Sequence, residues 1–125
     1  MKKLFDEVSY KASKITTQTY STSFSFGILA LHKSIRKSIY NIYGFVRFAD
    51  EIVDTFHGFD KELLLQKFEE DLAHALEHKI SLNPILNSFQ YSVHENNIQP
   101  ELIEAFLKKV PMALEAASEE TQSSG

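Results

Sequence analysis

The sequence predicts an all-α fold, and three observations carry that expectation. The stretch from Ile35 to Phe56 contains no proline and sets Ile35, Ile39, Ile42, Val46, Ala49 and Val53 at steps of three and four, the spacing of a helix that faces a core. Capping signals recur along the chain, most clearly Asn83-Pro84 and Pro100, where proline suits the first helical position. No segment alternates apolar and polar residues as a half-buried strand would. With 125 residues and 43% hydrophobic content, the chain suffices for one domain with a core and not for two.

Taken in order, Leu4, Phe5, Val8, Ala12 and Ile15 predict a first amphipathic helix over residues 3–19, with that apolar set inward. It is expected to dissolve into the hydroxyl-rich run Thr16 to Ser23, whose side chains compete for backbone hydrogen bonds and favour turns and caps. Ser21 or Ser23 then caps the segment Phe24 to Leu31. The functional alternative is that these hydroxyls, with the free N–H groups of a helix start, receive a phosphate. A break at His32-Lys33-Ser34 precedes the central helix, which Gly58 is placed to end. Asp60 reads as the N-cap of a helix to about Lys79, with Leu63, Leu64, Phe68, Leu72, Ala75 and Leu76 inward. The helix after Asn83-Pro84 carries Ile85, Leu86, Phe89 and Val93 and frays at Asn96-Asn97. The one after Pro100 turns Leu102, Ile103, Phe106, Leu107 and Val110 inward. Residues 1–114 form the expected domain. Glu115 to Gly125 hold no large apolar side chain and are expected to be disordered or an appended tail.

Composition excludes several functions. A net charge of −4 without a basic stripe argues against nucleic acid as a partner. With no cysteine there is no disulfide and no thiolate chemistry. The start, MKKLFDEVSY, is not a secretory signal, and the apolar run Phe24 to Leu31 is too short to span a bilayer. The expected address is the cytoplasm, with peripheral membrane contact left open.

The central helix also carries the chemistry. At about 100° per residue, Tyr43, Arg47, Asp50 and Asp54 fall within an arc of about 60° beside the apolar stripe. Phe45, Phe48, Ile52 and Phe56 occupy much of the far side, and only the sector around Tyr40 and Glu51 lacks a clear apolar neighbour. A helix apolar on nearly all sides is buried, which would turn two carboxylates, a guanidinium and a phenol inward. Buried charge must be paired or bound to metal, and one arginine cannot neutralise two aspartates. Asp50 and Asp54, one turn apart, are therefore a candidate Mg²⁺ pair shared with a substrate phosphate. The alternative is a solvated face with Arg47–Asp50 as a surface pair. A weaker metal candidate is Asp71 with His74 and His78, but these lie opposite the apolar stripe and read as a solvent face.

The segment Tyr40 to Asp54, YNIYGFVRFADEIVD, resembles the first aspartate-rich helix of squalene and phytoene synthases, which usually reads close to Y-x-x-Y-x-F-x-R-x-x-D-[DE]-x-x-D. Ser21-Thr-Ser23-Phe24-Ser25 resembles the S-x-S-F segment of the same family, at the same distance upstream, and the likeness covers roughly residues 8–110. The resemblance implies part of an isoprenoid-synthase-type bundle of about five or six helices. It implies a transferase that joins two prenyl diphosphates, farnesyl or geranylgeranyl, head to head. Asp50 and Asp54 match metal-binding aspartates for Mg²⁺, or Mn²⁺ in its place. Arg47 matches an arginine that contacts the diphosphate, Tyr43 an active-site tyrosine lining the same cavity, Ser21 and Ser23 hydroxyls that hold the diphosphate, and Phe24 an aromatic near the prenyl chain. NADPH is implied only where squalene is formed. Such chemistry needs charge stabilisation on the leaving diphosphate and a dry pocket for the carbocation.

The departures from the family pattern set the remaining expectations. Glu51 stands where a second Asp is commoner, and His32 where a proline is usual. The second D-x-x-x-D of the family, on a later helix, has no counterpart here. The chain therefore reads as the N-terminal part of such an enzyme, inactive alone, with an apolar face open to self-association. The alternative is a non-catalytic relative of the same fold acting as an assembly or interaction factor.

Overall fold

The computed structural model describes residues 1–110, arranged as a bundle of helices: α1 (Lys2–Tyr20), α2 (Thr22–Leu29), α3 (Lys33–Asp54), α4 (Lys61–His78), α5 (Pro84–Glu95) and α6 over 100–110. No strand occurs among the described residues. The helix α3 is central and packs against α1, α2, α4 and α5. The tail expected over 115–125, and the domain limit at 114, lie outside the described residues.

Local chemistry sets the helix ends. The Ser21 hydroxyl accepts from the Phe24 N–H at 3.2 Å, so it is Ser21 and not Ser23 that caps α2. His32 Nδ1 accepts from the Ser34 N–H, which starts α3 at Lys33, two residues ahead of Ile35. Asp60 caps α4, and Asn83 caps α5 through the N–H groups of Ile85 and Leu86. Gly58 does not end α3. That helix stops at Asp54, where Lys61 Nζ donates to the Val53 carbonyl at 2.6 Å and satisfies one of the orphan acceptors of a helix end. Gly58 serves the turn that follows, with φ +90°, a conformation that favours glycine.

The core is aromatic at its centre. Phe45 of α3 stacks on Phe89 of α5 at 3.9 Å between centroids and on Phe68 of α4 at 5.5 Å, and it meets Phe106 of α6 at 5.6 Å. Ala49, Ile52 and Val53 continue the α3 contribution, against Leu65, Leu72 and Ala75 of α4 and Ile85, Leu86 and Val93 of α5. On α4 it is Leu65 that enters the core, while Leu63 and Leu64 are exposed; on α6, Ile103 and Val110 are buried and Leu102 is exposed. On α3 the end residue Ile35 is exposed and Tyr40 is buried, edge-on to Tyr10. On α4 the correction follows from phase. Residues 65, 68, 72 and 75 lie closer to one line than any set containing both 63 and 64.

The helix α1 is turned away from its expected orientation: of the residues expected inward, Ala12 packs against the core and Phe5 is half-buried, and the other three are exposed. Its buried residues are Ser9, Ser13, Thr16 and Thr17, whereas Leu4, Val8 and Ile15 are 62%, 53% and 62% exposed. Hydroxyls can be buried here because each has a partner. Ser9, Thr16 and Thr17 donate to the carbonyls of Phe5, Ala12 and Ser13, four residues earlier, and Ser13 Oγ lies 2.7 Å from Ser88 Oγ of α5. Asn87 Nδ2 donates to both Asp6 and Ser9. The same back-bonds keep the hydroxyl-rich run helical through Tyr20 instead of dissolving it at Thr16.

Small side chains also let α1 lie close to α3. A Cβ placed on Gly44 would stand 2.9 Å from Ser13 Oγ and 3.3 Å from Ser13 Cα. Gly44→Val is therefore expected to destabilise the fold by about 1–3 kcal/mol through overpacking. Denaturant titration measures this, and a variant as stable as the parent would show that α1 is not tightly docked.

Candidate functional site

The end of α1 and the start of α2 fold onto the C-terminal half of α3. The Phe24 ring stacks on Tyr43 at 5.0 Å and 25°, and the Arg47 guanidinium lies over the Tyr20 ring at 5.2 Å. These two contacts bring the hydroxyl-rich segment to the charged flank of α3. Arg47 Nη2 donates to Asp54 Oδ2 at 3.2 Å and lies 2.9 Å from Glu51 Oε1.

The arrangement differs from the expected one in two respects. Arg47 is paired with Glu51 and Asp54, not with Asp50. Further, the two aspartates are not buried together: Asp50 is half-buried, whereas the Asp54 side chain is 60% exposed. Asp54 is the last residue of α3. Glu51, in the sector without an apparent apolar neighbour, is buried at 9% exposure. Two members of the cluster escaped the sequence reading. Glu51 was legible as the i+4 partner of Arg47. Tyr20 had only its place beside Ser21 as a signal.

Electrostatically the cluster is unbalanced, with three carboxylates facing one guanidinium. Burial would lower the Arg47 pKa, but its bond to Asp54 and the charges of Glu51 and Asp50 hold it above the ordinary value, so it stays charged. Burial raises the Asp50 pKa; the attraction of Arg47 opposes this, and the like charges of Asp54 and Glu51 add to it. Among the described residues Asp50 makes no side-chain hydrogen bond or ion pair, and the buried Arg47 Nε finds no acceptor.

A raised carboxylate pKa means that the folded state binds more protons than the unfolded one. Stability then falls as pH rises from the usual aspartate value through the raised one. Asp50→Asn is expected to raise Tm at neutral pH, and the gain should vanish at acid pH, where Asp50 is protonated in both states. Thermal melts across pH test this. A Tm lowered at neutral pH would mean that the carboxylate has a structural partner.

The donor set fits a hard divalent cation. No three His, Asp or Glu side chains converge at ligating distance among the described residues. However, Mg²⁺ keeps several waters and shares substrate phosphates, so one or two carboxylates suffice. The unpartnered Asp50 and exposed Asp54, one turn apart, are donors of that kind. Ser23 lies exposed in the first turn of α2, and Ser21 keeps a hydroxyl proton beyond its capping bond. A hollow of about 330 Å³ opens beside the cluster, walled by Tyr20 and Glu51 and by apolar side chains that include Phe48, Ile52, Phe56 and Phe68. On α4 the His74 and His78 rings lie 4.3 Å apart, on the exposed side of the helix.

The described helices form an all-α bundle of isoprenoid-synthase type. A family model described as squalene/phytoene synthase matches residues 17–123, and the chain belongs to that family. Comparison with curated proteins and with solved structures returned no match. No described helix is long and apolar enough to cross a membrane.

Proposed function

We propose that the chain binds a prenyl diphosphate through the flank of α3, as the first half of a Mg²⁺-dependent head-to-head prenyl transferase. The observation that carries this reading is the unpartnered, half-buried Asp50, one turn from Asp54 and beside an arginine with a free Nε. A chain with no ligand for this flank would gain stability by losing that carboxylate. Mg²⁺ held by Asp50 and Asp54 would supply charge stabilisation on the diphosphate oxygens. Arg47 adds an N–H donor to the same anion, and Ser21 and Ser23 add hydroxyl donors from the α2 start. Tyr43 and Phe24, stacked on each other, form an aromatic wall next to these groups. Hydrocarbon of a farnesyl or geranylgeranyl chain would lie against apolar side chains that exclude water.

One such acidic pair holds one diphosphate. Joining two prenyl chains requires a second diphosphate fixed in a reactive geometry, and the chain has no further D-x-x-x-D. Farnesyl or geranylgeranyl diphosphate with Mg²⁺ is thus expected to raise the Tm of the chain by several degrees, while the chain alone releases no diphosphate. Product formed by the chain alone would overturn the single-pair reading. No Tm response to either prenyl diphosphate would favour the non-catalytic relative.

A further inference from the structure

The corner between α1 and α2 is fixed on both sides of Ser21. The Ser21 N–H donates to the Thr17 carbonyl and closes α1, while the Ser21 hydroxyl caps α2. Tyr20 and Phe24 flank this corner and meet one turn of α3. Phe24 stacks on Tyr43, and Tyr20 lies against the Arg47 guanidinium. The corner therefore presents the Tyr20 ring from a backbone that two helix ends hold in place.

Arg47 is the side chain that needs such a fixed surface. Asp50, at +3 on α3, is within ordinary reach of a helical arginine; it is half-buried and has no partner of its own. Arg47 Nη2 nevertheless stands 2.9 Å from Glu51 and 3.2 Å from Asp54. Spacing along α3 does not account for that choice, and the ring does. The donors of a guanidinium lie in its plane, so an aromatic ring against its face limits where they point. The Tyr20 centroid is 5.2 Å from Arg47 Cζ. Tyr20 and Glu51 also share the wall of the hollow of about 330 Å³, which Asp50 does not line. The ring and the chosen carboxylate stand on one side of the arginine.

We infer that Tyr20 is a positioning residue: its ring holds the Arg47 guanidinium on the Glu51 side and off Asp50, which keeps Asp50 open to a divalent cation. The role rests on the reading of Asp50 as a cation ligand proposed above. An Arg47 that swung onto Asp50 would neutralise that carboxylate and compete with the cation for it. Tyr20 needs no contact with substrate. It acts through Arg47, by the attraction of a cation to an aromatic face and by restricting a side chain rich in rotamers. The ring does this, and the phenol hydroxyl is not required.

The test begins without any ligand. In the isotope-labelled chain the Arg47 Nε–Hε resonance, identified by its loss in Arg47→Lys, should show the ring-current shift of Tyr20 and slow exchange, because Nε is buried. Tyr20→Leu should abolish both features and Tyr20→Phe should keep them. Tyr20 is 49% exposed at the end of α1, so both variants should keep the circular dichroism spectrum of the parent. The Tm gain expected of Asp50→Asn should disappear in the Tyr20→Leu background, where Arg47 has moved to Asp50. Farnesyl diphosphate with Mg²⁺ should bind Tyr20→Leu about threefold to tenfold more weakly than the parent, and Tyr20→Phe as the parent does. An unchanged Arg47 resonance in Tyr20→Leu would overturn the inference, as would an equal loss in Tyr20→Phe or an Asp50→Asn gain that persists without the ring. A parent that binds no diphosphate would overturn the proposed function alone, since the resonance and the melts decide the role of Tyr20 without a ligand.

Discussion

Phe45→Ala is expected to destabilise the fold by about 3–5 kcal/mol, the largest effect of any single truncation in the described core. Phe45 is 2% exposed and touches aromatic rings from α4, α5 and α6. Removing it leaves a cavity bounded by three helices, and the Phe89 ring, 3.9 Å away, loses its stacking partner. Aromatic pairs contribute about 0.5–1.5 kcal/mol beyond area burial, so the loss should fall in the upper part of the range. A domain of this size has about 5–15 kcal/mol in all, and a large fraction would be gone. The control is Leu102→Ala on the exposed side of α6, which should change stability by less than about 0.5 kcal/mol. Urea titration of both variants measures the contrast. Equal losses would mean that the aromatic stack is not the centre of the core.

The second large effect is expected at Arg47. Arg47→Ala removes the partner of a buried glutamate and leaves three carboxylates on one flank with no facing cation. Unpairing a buried charge is costly. Because Arg47 and Glu51 keep some solvent, at 21% and 11% side-chain exposure, the fully buried figure is discounted to about 1–3 kcal/mol. Arg47→Ala/Glu51→Gln should recover part of the loss, since the neutral amide needs no counter-charge. The two single variants and the double form a mutant cycle whose coupling isolates the pair. Strict additivity would show that Arg47 and Glu51 do not act together. Arg47→Ala should also weaken diphosphate binding, an effect that Glu51→Gln does not restore.

Much of this architecture was legible in the residues. Asp60, Asn83 and Ser21 cap where their chemistry places them, because capping is a local matter of one side-chain oxygen and the N–H groups two or three residues on. The core face of α5 was likewise readable from its spacing. What failed was α1. Periodicity identifies an amphipathic helix but not which of its faces meets the core. Here the choice fell to Gly44 and to the partners of Ser9 and Ser13, Asn87 and Ser88, which stand more than 70 residues further along the chain. At the candidate site, the composition of the α3 flank was legible and its pairing was not. Arg47 has carboxylates at +3, +4 and +7, and spacing alone does not choose among them. The choice depends on Tyr20, which lies under the guanidinium because α1 stays helical to its end.

The most direct test of the account is equilibrium binding of farnesyl diphosphate to the chain with and without Mg²⁺, by titration calorimetry, beside Asp50→Asn and Asp54→Asn. The account predicts binding that requires Mg²⁺ and is lost in each variant, while both variants remain folded and Asp50→Asn melts at a higher temperature than the parent. Binding that is unchanged by Mg²⁺ or retained in both variants would contradict it, and the aspartates of α3 would then have no part in holding the diphosphate.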